Sequence, residues 1–379
     1  MKLSNFLPAM ESCSACGQCL PACPVYAQSG LETDAPAGKL RIALALARGG
    51  LKPAAAVAAL GRCMLCGRCA RACPQQLPLQ EIFFAARRQL GPHLPASRKA
   101  LVWSLARAPL AWDFCQPPLH LLQGLISGPL PRVAFNPFTS RERGQGNVLL
   151  FGGCLSRRFF PELIADSIRA LEANGYSVIW DAALVCCGRP RAAQGGDISA
   201  AVAHNLRVIS RYEFEFLTSP CPGCLAAIRS LWQSAPGLKK AEAALCGSAA
   251  AKCADITVLL DRAGARCQSQ RIFWHSPCLL DAKAEEAALR LLGEDVASSP
   301  EPACCGAPLD LLRTPKSAKR PNALLKPASL PLRDRLRKAA LAQAVGCELI
   351  ATACPGCMLA LAGAVPVRHV AQIYAQGCA

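Results

Sequence analysis

The sequence predicts a multidomain α+β protein in which an N-terminal helical module precedes two homologous α/β domains. A short cysteine motif occurs twice within residues 1–90, among apolar segments with helical spacing. A longer pattern occurs twice in the rest of the chain, where cysteines follow short apolar runs that are typical of buried strands. The predicted units are the module 1–90, a connector 91–146, and α/β domains at 147–265 and 266–379.

The 24 cysteines of this 379-residue chain dominate its composition. The length is sufficient for two or three domains with cores of their own. The opening segment MKLSNFLPAM has no apolar run long enough for a signal peptide, so we expect a cytoplasmic, reducing compartment. There, clustered cysteines are metal ligands far more often than disulfide partners.

The formal charge of +17 counts every cysteine as neutral, and thiolates bound to metal would reduce it. Since no nucleic-acid-binding motif accompanies the Lys and Arg excess, we expect no nucleic acid partner. A solvated face, or a face towards an acidic partner or anionic lipid, explains the charge better. The weakly charged run Ala339–Val367 contains Glu348 and two prolines, and it therefore predicts helix, strand and loop but no transmembrane segment.

The short motif has the ligand spacing of paired iron–sulfur clusters. CSACGQCLPACP and CMLCGRCARACP each place four cysteines, separated by two, two and three residues, before a proline. In this 4Fe–4S pattern the fourth cysteine, which we expect at the start of a helix, ligates the other cluster. The predicted sets are Cys13, Cys16, Cys19 and Cys73 for one 4Fe–4S cluster, and Cys63, Cys66, Cys69 and Cys23 for the other.

Paired cubane clusters transfer single electrons, so this module is predicted to be an electron conduit. Gly17 and Gly67 would let backbone N–H groups approach the cluster sulfides. A zinc module is the alternative, because Cys-x-x-Cys pairs also bind zinc, but two complete runs with proline disfavour it.

The longer pattern predicts parallel α/β layers, with ligands gathered at the carboxyl ends of the strands. The predicted strands are Val148–Phe151, Tyr176–Trp180, Phe214–Thr218, Ile272–Trp274 and Leu349–Thr352. The predicted helices include Gly38–Ala47 and Pro78–Gln89 in the N-terminal module, and Pro161–Ala173 between two strands.

Each α/β domain carries five cysteines, two of them adjacent in a Cys-Cys-Gly triplet. The sets are Cys154, Cys186, Cys187, Cys221 and Cys224 in the first domain, and Cys278, Cys304, Cys305, Cys354 and Cys357 in the second. Five thiolates exceed what one cubane cluster or one zinc ion needs. An opened, irregular cluster with one bridging thiolate would use all five, and we predict one or two such iron–sulfur clusters.

The duplicated Cys … CCG … CPGC pattern behind the paired-cluster segment resembles the cysteine-rich (CCG) domain iron–sulfur oxidoreductase family. This family includes iron–sulfur subunits of glycolate oxidase, of lactate-utilisation dehydrogenases and of anaerobic glycerol-3-phosphate dehydrogenase, and catalytic subunits of heterodisulfide reductase. The segments APAGKLRIALALARGG, FWHSPC and PVRH are most similar to the glycolate oxidase subunit. The two intact CPGC turns are more similar to heterodisulfide reductase subunits.

The resemblance to glycolate oxidase implies an electron-transfer subunit of an FAD-linked 2-hydroxyacid (glycolate or lactate) dehydrogenase complex. It would pass electrons from the FAD-binding subunit to quinone or a membrane cytochrome subunit, at the inner face of the cytoplasmic membrane. The absence of a nucleotide-binding fingerprint favours a flavin on a partner. Resemblance to heterodisulfide reductase implies the alternative, reduction of a disulfide at an irregular cluster, and a zinc-stapled scaffold is a third hypothesis.

Several residues leave more than one interpretation open. His275, before the first cysteine of the second pattern, could ligate iron or gate protons, although a structural role is at least as common. For His369 the structural role is favoured, and for Trp103 and Trp112 a core or partner contact over a membrane interface. The basic insert Arg313–Lys338 is predicted to be a surface loop, with docking as one option. No role is assigned to Cys115, Cys246, Cys253, Cys267, Cys347 and Cys378.

Overall fold

A computed structural model describes residues 2–94, 138–140, 144–263, 271–298, 304–305, 341–343, 345–363 and 365–377. Trp103, Trp112 and the insert Arg313–Lys338 lie outside the described residues, and so do Cys115, Cys267 and Cys378.

The N-terminal module, residues 2–94, is helical and has no strand in the part that the structure describes. Its helices are α1 (Leu7–Glu11), α2 (Pro24–Ser29), α3 (Pro36–Ala47), α4 (Pro53–Gly61), α5 (Arg68–Arg71) and α6 (Leu79–Leu90). Helices α2, α3 and α4 each begin at a proline, where the missing N–H has no partner to lose. Leu40 of α3, Leu60 of α4 and Ile82 of α6 lie in the hydrophobic core of the module.

The first α/β domain contains a four-stranded sheet with the order β1-β3-β2-β4. The strands are β1 (Phe138–Thr139), β2 (Asn147–Leu150), β3 (Ser177–Trp180) and β4 (Phe216–Thr218). Strand β2 runs parallel to β3 and β4, whereas β1 is an antiparallel edge strand. The helices are α7 (Cys154–Phe159), α8 (Pro161–Ala173), α9 (Arg189–Ala192), α10 (Ser199–Ile209), α11 (Pro222–Ala226), α12 (Lys240–Ala251) and α13 (Ile256–Leu260).

The second α/β domain has the strand order β6-β5-β7-β8, all parallel; β6-β5-β7 repeat β3-β2-β4 of the first domain, and β8 is added at the edge next to β7. Its strands are β5 (Ile272–His275), β6 (Val296–Ser298), β7 (Leu349–Thr352) and β8 (Val367–His369), and its helices are α14 (Ala282–Leu292), α15 (Pro355–Leu361) and α16 (Val370–Gly377). The predicted pair of homologous parallel domains is confirmed. The apolar run that could have spanned a bilayer divides into β7, α15 and β8. Within the described ranges, every helix falls short of what crossing a membrane requires.

The two α/β domains share a hydrophobic core. Leu163 and Leu171 on α8 lie in one buried cluster with Val370 and Tyr374 on α16. At the edge of this contact, the amide of Gln372 donates a hydrogen bond to a carboxylate oxygen of Asp166 over 3.4 Å. The C-terminal helix is therefore part of the packing of the first α/β domain as well as the second.

Candidate metal centres

Two cavities in the N-terminal module are lined by cysteines in the crosswise grouping that the sequence predicts. The first cavity is lined by Cys13, Cys16, Cys19 and Cys73, and the second cavity by Cys23, Cys63, Cys66 and Cys69. The fold thus brings each predicted set of four together. Ligation of a cluster by these side chains stays a prediction.

The two cysteine loops have the same backbone conformation. Ala15 and Leu65, at equivalent positions, have φ of 56° and 53°, and the following Gly17 and Gly67 have φ of 80° and 74°. Gly17 and Gly67 adopt positive φ without steric cost, because glycine has no Cβ. Ala15 and Leu65 adopt it at some cost in strain. Each loop therefore turns its three leading cysteines towards one cavity.

The fourth cysteines differ from each other. Cys23 caps the N-terminus of α2, and its sulfur accepts a hydrogen bond from the backbone N–H of Tyr26 over 3.5 Å. Cys73 was expected at the start of a helix too, but a turn follows it, closed by the N–H of Gln76 on the Cys73 carbonyl over 3.0 Å. Gln76 has φ of 53°, which helical backbone cannot accommodate, and α6 begins only at Leu79.

Two buried cations lie beside the second cavity. Lys39 and Arg87 are each 1% exposed, and Lys39 forms an ion pair with Asp34 at 3.5 Å. Arg87 donates to the carbonyl of Cys63 over 2.7 Å and so fixes the start of the cysteine loop. Burial raises the pKa of the Cys63 thiol, and the charges of Arg87 and Lys39 oppose that effect. The two cations thus offset part of the cost of holding a thiolate in this cavity.

The first α/β domain brings its five predicted cysteines to the carboxyl edge of its sheet. The sulfurs of Cys154 and Cys186 lie 3.6 Å apart, and Cys187 is hydrogen-bonded to Cys186 and Cys224. These hydrogen bonds lower the pKa of Cys187 to about 5, and the one with Cys186 has a larger effect than the one with Cys224. Cys221 completes the chain through a hydrogen bond with Cys224. A bound metal would displace the protons of these thiol groups and hold the sulfurs together instead.

The second α/β domain gathers its cysteines in a similar way. The sulfurs of Cys305 and Cys357 lie 3.3 Å apart, and Cys354 is hydrogen-bonded to Cys357. Cys278 lies near enough for its charge to interact with that of Cys305, and burial raises its pKa to about 12. Cys304 is turned towards the N-terminal module, where its sulfur lies 3.8 Å from the sulfur of Met64.

The two α/β sites meet each other across the domain boundary. The thiol groups of Cys221 and Cys354, which open the two CPGC turns, are hydrogen-bonded. Next to them, Nε2 of His369 donates to the carbonyl of Pro220 over 2.9 Å, while its Nδ1 accepts from the N–H of Ala371 over 3.1 Å. Burial lowers the pKa of His369 to about 4, so the ring stays neutral. These bonds support the structural role that the sequence favours for this histidine.

The N-terminal module touches the second α/β site directly. Val25, Met64 and Cys304 form a buried cluster, against which Cys23 and Cys66 of the second cavity pack. A series of neighbouring sulfur atoms thus runs from the second cavity, through the second α/β site, to the first α/β site.

Arg189 is a site residue that sequence reasoning missed. It directly follows the first Cys-Cys-Gly triplet, and its guanidinium donates to the carbonyl of Leu65 over 2.7 Å. Burial lowers its pKa, while the nearby thiol groups of Cys278, Cys187, Cys221 and Cys66 oppose that shift. One cation therefore faces three of the four cysteine groups. The available signal was a charged residue after this triplet, where the second triplet has Ala307.

The donor sets fit metal-bound thiolates, the kind of ligand that iron–sulfur clusters use. Two thiolates on one tetrahedral metal ion, with bonds of about 2.3 Å, lie about 3.8 Å apart, and the sulfur separations of 3.3 and 3.6 Å are close to that value. Lys39, Arg87 and Arg189 offset the negative charge that thiolate ligands carry. When bound, such clusters supply one-electron transfer.

Comparison with protein families finds two kinds of domain in the chain. A 4Fe-4S dicluster domain matches residues 9–77, and a cysteine-rich domain (CCG) matches twice, at 148–229 and 272–362.

Several proteins are similar to the chain. Lactate utilization protein A of Shouchella clausii is 25% identical over 250 residues, which cover 60% of this chain and 98% of that protein. An uncharacterized iron–sulfur protein of Methanocaldococcus jannaschii is 26% identical over 180 residues, 45% of this chain and 34% of that protein. A hypothetical protein of Helicobacter pylori has the same fold, with a TM-score of 0.55 over 98% of this chain and 74% of that chain, at 9% identity.

Proposed function

Since this chain belongs to the cysteine-rich (CCG) domain iron–sulfur family and carries a 4Fe-4S dicluster domain, we propose that it is the electron-transfer subunit of an FAD-linked 2-hydroxyacid dehydrogenase complex. Glycolate or lactate is the proposed substrate of the flavin subunit, and quinone or a membrane cytochrome subunit the acceptor. The similarity to lactate utilization protein A supports this substrate class.

The proposal rests mainly on the continuity of three of the four cysteine groups: the second cavity and the two α/β sites. The contact of 3.8 Å between the sulfurs of Met64 and Cys304 joins the N-terminal module to the second α/β site. The hydrogen bond between Cys221 and Cys354 joins the second site to the first. Groups arranged in this way serve to move electrons through the molecule, with the hydride chemistry on the flavin partner.

The direct test uses the anaerobically purified, iron-loaded chain with a flavin-containing lactate or glycolate dehydrogenase. Substrate added to the pair should reduce the clusters, followed by optical bleaching and by electron paramagnetic resonance (EPR). The chain alone should not oxidise either substrate with a dye acceptor. Oxidation by the isolated chain would contradict this division of labour.

The contact between the two CPGC turns favours a second candidate function, reduction of a disulfide. Cys221 and Cys354 are both partly exposed, so two irregular clusters would meet where a substrate can reach them. Addition of a low-molecular-weight disulfide to the dithionite-reduced chain distinguishes the functions. Rapid reoxidation with release of two thiols supports the reductase, whereas the electron-transfer subunit should not react.

Metal analysis tests the third hypothesis, a zinc-stapled scaffold. We expect iron and acid-labile sulfide in the anaerobic protein. Zinc without either would contradict both redox functions.

A further inference from the structure

The two α/β sites differ at one position next to their cysteines. Three residues before the first cysteine of each pattern lies Phe151 in the first domain and His275 in the second. Phe151 is fully buried, and its ring packs edge-to-face on Trp232 with 6.1 Å between centroids. His275 is the last residue of β5 and is 2% exposed. Homologous backbone thus carries a hydrocarbon ring at one site and an imidazole at the other.

The imidazole of His275 lies among sulfur donors. A ring nitrogen of His275 and the sulfurs of Cys305 and Cys357 are all within 4.8 Å of one another, and all three residues are buried. Donors on one metal ion, with bonds of about 2.0 to 2.3 Å, lie about 3.5 to 4 Å apart, so this triangle can close on a shared ion with small side-chain movements. The hydrogen bond between His275 and Cys305 already directs the ring towards the thiol.

We infer that His275 is an iron ligand, which gives the cluster in the second α/β site a nitrogen donor that the first site lacks. This inference rests on the iron–sulfur clusters of the proposed function, but not on the identity of the flavin partner. Cys305 and Cys357 would share the same iron, and the imidazole would bind as a neutral ligand through its lone pair.

Nitrogen ligation has a consequence for the direction of electron flow. A neutral imidazole adds a donor without the negative charge that a thiolate brings, and histidine ligands accordingly raise the potential of iron–sulfur centres. The second α/β site should therefore have a higher potential than the first, and electrons should collect there.

The test is pulsed EPR of the iron-loaded, reduced full-length chain, with histidine at natural abundance or labelled with ¹⁵N. We expect ¹⁴N coupling to the second cluster that changes to ¹⁵N coupling on labelling. His275→Phe, which installs the residue of the first site, should abolish the coupling and lower the potential of one cluster. His204→Gln, in the first domain, should change neither.

The inference fails if the wild-type chain shows no histidine coupling, since that measurement needs no variant to fold. It fails too if His275→Phe keeps the coupling, or if metal analysis places zinc in the second site. Intact coupling without electron transfer from a flavin-containing donor would contradict the proposed function alone.

Discussion

Arg189 shows how one residue can influence several cysteine groups. A unit charge at about 8 Å, in an effective dielectric of about 20, contributes about 2 kcal/mol, and about 1.4 kcal/mol corresponds to about 59 mV for one electron. Arg189→Gln should therefore lower the potentials of the adjacent clusters by on the order of 80 mV, because the cation stabilises an added electron. An EPR-monitored redox titration measures this shift.

Two variants control this prediction. Arg189→Lys keeps the charge and should retain most of the wild-type potentials. Arg191→Gln removes an exposed arginine two positions further on and should have little effect, since solvent screens it. Unchanged potentials in Arg189→Gln would show that the cation serves packing alone.

Asp255 gives the fold an unusual dependence on pH. Burial raises its pKa from 3.8 to about 6, although its carboxylate accepts hydrogen bonds from the backbone and hydroxyl of Thr257. The folded protein then binds a proton that the unfolded chain has lost between these pH values. The contribution of Asp255 to stability is full below pH 4 and is lost as the pH rises through 6, at a cost on the order of 3 kcal/mol.

Asp255→Asn should therefore raise the apparent Tm at pH 7.5 more than at pH 5, since the amide keeps an acceptor for the cap and carries no charge. Anaerobic calorimetry at both pH values measures the difference. The exposed Asp295 provides the control, because Asp295→Asn should shift the Tm little at either pH. An equal effect of Asp255→Asn at both values would contradict the assigned pKa.

The crosswise grouping of the fourth cysteines, Cys23 and Cys73, depends on where the secondary-structure elements place them. Cys23 belongs to the first motif by sequence but lines the second cavity, because α2 carries it away from its own loop. Cys23→Ser should thus remove the same EPR signal as Cys63→Ser, with loss of up to about four irons per chain. Cys73→Ser should instead match Cys13→Ser. Pairing of Cys23→Ser with Cys13→Ser would mean that each motif binds its own cluster.

The sequence predicts the elements well where cysteine spacing and apolar runs define them. Helix α8 has the predicted bounds, and β7 does also, because proline or a turn fixes their ends. What the sequence could not supply are contacts between distant segments. The bond from His369 to Pro220 and the meeting of Cys304 with Met64 join residues 149 and 240 positions apart, and no local pattern records such distances.

At the scale of the whole molecule, the shared core makes the two α/β domains dependent on each other. The cluster that contains Tyr374 includes residues of both sheets and of helices α8 and α16. On the other face of the second sheet, Leu361 lies in a separate cluster with residues of the second domain only. Tyr374 in the shared core and Leu361 outside it therefore allow the two regions of packing to be tested separately.

Tyr374→Ala should destabilise both domains by about 3 to 5 kcal/mol, the usual cost of removing a large buried aromatic side chain. Hydrogen exchange of the iron-loaded chain should then show faster exchange in α8 as well as in α16. Leu361→Ala, at about 2 to 5 kcal/mol, should accelerate exchange in β7 and α15 and leave α8 protected. Protection of α8 in Tyr374→Ala would mean that the first domain holds its fold without the C-terminal helix, and that the two α/β domains are independently stable units.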